Sequence, residues 1–139
     1  MKIIIPMAGD SKRFVAEGYV DPKPLIRVDG KHMIEHVCNM FPGEDDFIFI
    51  CNNKHLQESN MEEVLKKIKP TAKIIGIEPH DKGPLISCMQ AMDYIKDEEE
   101  LIISYCDFTQ IWDYWNFLKK IRNGNYDGAI PAFRGFHPA

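Results

Sequence analysis

The sequence has no apolar stretch long enough to cross a membrane and no cleavable signal pattern, so a cytoplasmic protein is expected. It has no Cys-x-x-Cys pair; Cys38, Cys51, Cys88 and Cys106 lie far apart, each in or beside an apolar stretch, as buried free thiols would. Zinc spacing is absent among the histidines except at His32 and His36, which are four apart and share a helix face without a third ligand nearby. There is no excess of basic charge. With 17 basic and 21 acidic residues the net charge is −4, which gives no general field to attract nucleic acid. Internal repeats, low-complexity tracts and linkers are lacking too. At 139 residues, 45% hydrophobic and 27% charged, the chain reads as one soluble domain or part of one.

Two familiar phosphate loops are also missing. No Gly-Lys-Ser/Thr ends a P-loop, and the first strand is followed only by Gly9 before Gly18, so there is no three-glycine dinucleotide fingerprint. The loop after that strand is of another kind. Lys2-Ile3-Ile4-Ile5-Pro6-Met7 is an apolar run that reads as a buried strand, and Ala8-Gly9-Asp10-Ser11-Lys12-Arg13 reads as a loop at its carboxyl end. Ala8, Gly9 and Ser11 are small enough for backbone N–H groups to converge on an anion, and Lys12, Arg13 and Lys23 can neutralise its charge. The prolines of Pro22-Lys23-Pro24 restrict the backbone around one lysine, which aims an ammonium group. Residues 1–31 carry six basic against four acidic side chains, a net of +2 in an otherwise acidic chain. That pattern suits a small polyanion better than a long one.

Further along, the Asp29-Gly30 turn bends the chain back, and apolar spacing from Met33 to Phe41 predicts a helix before a second strand over 47–51. One long helix is predicted over 55–68, stopped by Pro70, then a third strand over 73–77. A helix over 85–95, with Ile86, Met89 and Met92 in the core, precedes a fourth strand over 101–105 with Asp107 at its carboxyl end. Trp112, Trp115, Leu118 and Ile121 mark an amphipathic helix, and residues 129–133 a fifth strand. Strands alternating with helices imply an α/β fold: a Rossmann-like, mostly parallel sheet with helices on both faces. Ligands of such sheets bind beyond the carboxyl ends of the strands, so the basic loop, residues 78–83 and Asp107 are expected to face one crevice.

The strand, the Ala-Gly and basic loop ending in Arg13, and Pro22-Lys23-Pro24-Leu25, in that order, resemble the signature of the sugar-phosphate nucleotidyltransferases of GT-A-like fold. Asp10 and Ser11 stand where that signature has smaller residues. The resemblance covers nearly the whole chain to Phe133, and Gly135-Phe136-His137-Pro138 is similar to a stretch past the family's fifth strand. It implies that 1–139 is a nucleotide-binding domain without the acceptor-binding half, catalysing transfer of a nucleotidyl group from an NTP to a phosphorylated sugar or similar small molecule with release of pyrophosphate; the alternative is a nucleotide-binding module that does not turn over. By that resemblance amides of residues 8–13 cradle the nucleotide, Arg13 stabilises the departing pyrophosphate, and Lys23 the transferring phosphoryl group. Asp107 then corresponds to an acidic ligand of Mg²⁺, a cation that prefers carboxylate and water oxygens. Tyr105-Cys106-Asp107-Phe108 lacks the Asp-x-Asp of a glycosyltransferase. Gly83 permits close approach of a flat ring, and Glu78, five residues before it, stands at the base-reading position. An ionised Glu only accepts hydrogen bonds, which suits the amine of cytosine better than the carbonyl of uracil or thymine and favours CTP.

Overall fold

A computed structural model describes residues 1–124, 126–132 and 135. Four strands, β1 (Lys2–Met7), β4 (Phe47–Asn52), β5 (Lys73–Ile77) and β6 (Leu101–Ile103), form one parallel sheet in the order β5-β4-β1-β6. A separate hairpin pairs β2 (Arg27–Val28) with β3 (Lys31–His32), and its turn residues Asp29 and Gly30 both take positive φ, 48° and 78°. That is the backbone an Asp-Gly hairpin turn requires.

β1 and β4 are buried along their whole length, as strands of a parallel sheet covered on both faces must be. Alternation divides the core in two. Ile3, Ile5, Met7, Phe47, Phe49 and Cys51 face α2 (Met33–Cys38), α4 (Met61–Ile68) and α6 (Tyr114–Asn123), through Ile34, Val37, Met61, Leu65, Tyr114 and Leu118. Ile4, Ile48 and Ile50 face α5 (Pro84–Met89) through Cys88 and, just past the helix, Ala91. Each fully buried Ile or Phe contributes about 1.5–3 kcal/mol. The four cysteines are free and buried, and burial pushes the thiols of Cys38 and Cys51 up to about 12.

Several elements differ from the sequence expectation. The helix expected over 55–68 is two, α3 (Asn53–Glu58) and α4. Ser59 breaks it: its hydroxyl donates to the carbonyl of His55 at 2.6 Å, and its backbone is extended at φ −137°. α5 ends at Met89 and a 3₁₀ turn covers Met92–Tyr94. There the buried residues are Ser87, Cys88 and Ala91, while Met89 and Met92 are exposed, so small side chains rather than methionines bring α5 against the sheet. β6 is shorter than expected. The basic loop becomes helical from Lys12, as α1 (Lys12–Ala16), and residues 129–132 are irregular rather than a strand. Phe133 and the Phe136-His137-Pro138 segment lie outside the described residues. His32 lies in β3 rather than on a helix with His36; both rings bond backbone carbonyls, of Leu25 at 2.7 Å and Val28 at 2.8 Å.

Pro6 sits in a central strand, where a missing N–H normally costs a ladder bond. Here it does not. The Ser104 N–H donates to the Ile4 carbonyl, so Ile4 and, two residues on, Pro6 turn their backbone toward β6, but pairing of β1 with β6 stops at Ile4. Pro6 therefore falls where β6 has already diverged, and the two strands open into a cleft.

Candidate active site

The strand order reverses at that same place. From β1 the chain builds outward through β4 to β5, then crosses to the opposite side of β1 for β6. Such a switch point leaves a crevice at the carboxyl ends of the strands, here between β1 and β6, whose pairing ends at Ile4 and Ile103.

Into this crevice the loop after β1 sends Ala8, which is buried, and Gly9 and Asp10, which are exposed. Ser11 takes a left-handed backbone (φ 56°, ψ 23°) that turns the chain into α1. Its hydroxyl is not used as a helix cap. It accepts the backbone N–H of Lys23 at 3.1 Å and so ties the loop to the Pro-Lys-Pro segment. Pro22 holds an extended backbone (φ −54°, ψ 142°), Lys23–Leu25 form a 3₁₀ turn, and Pro24 and Leu25 are buried, which anchors the lysine from below. The ammonium of Lys23 reaches Oδ2 of Asp107 at 2.6 Å and lies 5.7 Å from the centre of the Phe14 ring. Beneath Asp107, Cys106 is buried, and burial pushes its thiol up to about 11.

Lys12 pairs with Asp10 at 3.1 Å on the surface, and Arg13, on α1, is exposed with no ion pair or side-chain hydrogen bond among the described residues. On the other flank Glu78, just past β5, accepts a hydrogen bond from the side-chain amide of Asn53 at 2.6 Å. Gly83 precedes α5 at φ 87°, with nothing within 4 Å of where a Cβ would stand. The loop between them is tied down by His80, whose Nδ1 accepts the Lys82 N–H at 3.2 Å and whose Nε2 meets the Ser87 hydroxyl at 3.1 Å. The first of these bonds makes Nδ1 the acceptor, so in the neutral ring the proton is on Nε2.

Sequence reasoning missed the junction of β4 and α3. Asn52 is 2% exposed; its carbonyl oxygen caps α3 by accepting the Lys54 N–H at 2.9 Å, and its amide points at Asp10 at 3.4 Å. Asn53 then reaches Glu78. Two amides directly after a buried strand were the signal.

The residues brought together are therefore Ser11, Lys23 and Asp107 on one side and Asp10, Asn52, Asn53 and Glu78 on the other. Among the described residues no group of three or more His, Cys, Asp and Glu could hold a metal ion. That donor set fits no all-protein cage, but one carboxylate ligand such as Asp107 fits Mg²⁺, which keeps several waters and takes substrate phosphate oxygens. A concavity of about 1000 Å³ runs along β6, the outer strand among the described residues, lined by Ile103, Tyr105, Phe108, Trp112 and Phe117; neither Lys23 nor Asp107 lines it.

A parallel sheet with its polar loops gathered over the switch point defines an α/β protein of the nucleotide-sugar-transferase-like fold. A family model for the MobA-like NTP transferase domain matches residues 3–139, and the chain belongs to that family. It is similar to the glucose-1-phosphate cytidylyltransferases of Salmonella typhimurium and Salmonella typhi, each 27% identical over 132 residues that cover 77% of this chain and 50% of theirs. The chain thus spans about half the length of these curated relatives. The nucleoside-diphosphate-sugar pyrophosphorylase from Vibrio cholerae RC9 shares the fold, with a TM-score of 0.60 at 23% identity over 76% of this chain and 47% of that one. Among the described residues no helix is long and apolar enough to cross a membrane.

Proposed function

We propose that residues 1–139 are the nucleotide-binding domain of a cytoplasmic nucleotidyltransferase that moves a nucleotidyl group from an NTP, CTP by preference, to a phosphorylated sugar or similar small molecule. The reading is carried by the 2.6 Å contact between Lys23 and Asp107 across the switch-point crevice, with Ser11 holding the backbone of that lysine. In the reaction an acceptor phosphate oxygen forms a bond to the α-phosphorus, and the bond from that phosphorus to the α–β bridging oxygen breaks. Pyrophosphate leaves with the bonding electrons. Charge accumulates on the α-phosphoryl oxygens and on the leaving group, so fixed cations there lower the barrier more than they strengthen ground-state binding.

Lys23 takes the first role, because its backbone is held on both sides by proline and its ammonium already faces the crevice. Arg13 takes the second, being a planar bidentate donor suited to phosphate. Amides of Ala8, Gly9, Asp10, Ser11 and Lys12 orient the triphosphate, and Glu78 and Gly83 receive the base. Asp107 would hold Mg²⁺, which supplies charge neutralisation across the phosphates. The CTP preference is supported by the acceptor-only carboxylate of Glu78 and by the cytidylyltransferases among the relatives.

The second reading is a domain that binds nucleotide without turning it over by itself, favoured by coverage of only half of each relative. Melting curves with each of the four NTPs and Mg²⁺ test what both readings share, since a ligand that binds only the folded state stabilises it. CTP should raise the melting temperature most. No shift with any NTP at millimolar concentration overturns both, and an equal shift with all four removes the base preference alone. Pyrophosphate release on adding sugar phosphates separates the two.

A further inference from the structure

We propose that Asn53 is the positioning residue that makes Glu78 selective between bases, an inference that rests on the nucleotide-binding reading above. The carboxylate of Glu78 is exposed. A free, solvated Glu samples several rotamers and keeps water on its oxygens, so it discriminates weakly between a base that donates and one that accepts. Glu78 is not free. Its Oε1 accepts from Nδ2 of Asn53 at 2.6 Å, which ties the side chain to one direction and leaves Oε2 for a ligand.

The amide that does this is itself built in. β4 and β5 pair in register up to Asn52 and Ile77, which brings the next two residues, Asn53 and Glu78, level with one another. Asn53 is the first residue of α3, and that helix start is fixed by the buried side chain of Asn52. The oxygen end of the Asn53 amide lies over Gly76, where a Cβ would come within 2.2 Å of Oδ1 and 3.1 Å of a Leu56 methyl. Glycine in the middle of a strand costs stability, and here it leaves the space the amide occupies. The bond to Glu78 sets the amide's orientation. Turned over, it would set its carbonyl against a carboxylate, two acceptors face to face.

With Oε1 engaged, Oε2 presents lone pairs only, so a donor opposite it is attracted and a carbonyl repelled. Cytosine offers an amine there and uracil a carbonyl. Discrimination of this kind depends on the acceptor being held still, which assigns to Asn53 an effect on the ratio of affinities rather than on affinity in general.

The experiment measures calorimetric Kd values for CTP and UTP, each with Mg²⁺, on the full chain and on Asn53→Asp, Asn53→Ala, Glu78→Gln and Asn53→Asp/Glu78→Gln. Asn53→Asp keeps the shape over Gly76 while exchanging the donor for a charged acceptor, whose general repulsion of triphosphate cancels in the ratio, and Asn53→Ala removes the donor without adding charge. The CTP-to-UTP preference should fall about tenfold in Asn53→Asp and in Asn53→Ala, the worth of one charge-assisted hydrogen bond. Adding Asn53→Asp to Glu78→Gln should move the ratio back toward CTP, because the new carboxylate accepts from the Gln amine and leaves the Gln carbonyl facing the base. An unchanged ratio in Asn53→Asp, or equal losses for both nucleotides, overturns the role of Asn53 while leaving the nucleotide site in place. Absence of any NTP binding by the unaltered chain overturns the underlying reading and this inference with it.

Discussion

The ammonium of Lys23 lies 2.6 Å from Oδ2 of Asp107, 84 residues further along, across the cleft that opens past Ile4, where β1 and β6 part. Both side chains keep part of their surface in water, 25% and 38%, so the pair contributes at most about 1 kcal/mol to folding. Its consequence is direction. Lys23→Ala should therefore leave the melting temperature nearly unchanged while slowing pyrophosphate release on the order of 10²- to 10³-fold, the usual effect of removing one donor aimed at developing charge. Unaltered turnover in that variant would reduce Pro22-Lys23-Pro24 to a turn.

Arg13 has a different signature. It is exposed on α1, a helix with no buried residue, so nothing in the core depends on it. Arg13→Ala should weaken NTP binding roughly tenfold, as loss of one charge-assisted phosphate contact does, with folding intact. Nucleoside monophosphate, which has no β- and γ-phosphates for the arginine to meet, should bind the variant and the unaltered protein alike. Equal losses for mono- and triphosphate in a titration would place Arg13 away from the pyrophosphate.

The strands were legible because β1, β4 and β5 are short apolar runs bounded by polar or turn residues, and their order with the helices between them implied a parallel sheet. Pro22-Lys23-Pro24 and Asp107 stood out in the sequence as a candidate site, and the fold brings Lys23 and Asp107 into contact. What sequence pattern did not carry is local competition. Ser59 breaks a helix that periodicity runs straight through, because its hydroxyl takes a backbone carbonyl. Met89 and Met92 keep helical spacing yet are exposed, since close approach of α5 to the sheet is made by Cys88 and Ala91. Asn53 has no period and no motif. Its partner lies 25 residues away and meets it only through the register of β4 and β5.

A pH dependence of stability arises at Glu44. Burial alone would raise its carboxyl, but hydrogen bonds from the terminal ammonium of Met1 at 2.8 Å and the hydroxyl of Tyr114 at 2.7 Å hold it below its ordinary value of 4.5. A carboxylate lowered in the folded state stabilises above its unfolded value, and that stability is lost as pH falls from about 4.5 through the folded value. His55 acts at higher pH. Burial lowers its ring below 6.5, so the neutral form belongs to the folded state and stability declines as pH drops below that value. Melting temperature should thus fall in two stages on acidification. Glu44→Gln should lower stability by about 1–2 kcal/mol at neutral pH and flatten the acid stage, leaving the earlier one. A variant whose acid limb matches that of the unaltered protein would assign the limb to other carboxylates.

The last prediction turns on Asp107 holding two partners in succession. Without nucleotide its Oδ2 accepts from Lys23; with a Mg²⁺–triphosphate complex the ammonium would gain phosphate oxygens and the carboxylate a cation, so the ion pair is exchanged for two new contacts. Asp107→Asn removes the negative charge that competes with phosphate for Lys23, and it also removes the only acidic ligand proposed for the metal. The two effects have opposite signs. In the absence of Mg²⁺ the variant should bind CTP as tightly as the unaltered protein or tighter, whereas with Mg²⁺ it should bind on the order of tenfold more weakly. Metal and nucleotide should bind cooperatively in the unaltered protein and lose most of that coupling in the variant, a reciprocity calorimetry can measure from either side. Equal coupling in both proteins would remove Asp107 from the metal, and tight Mg²⁺ binding without nucleotide would require a second carboxylate on the ion.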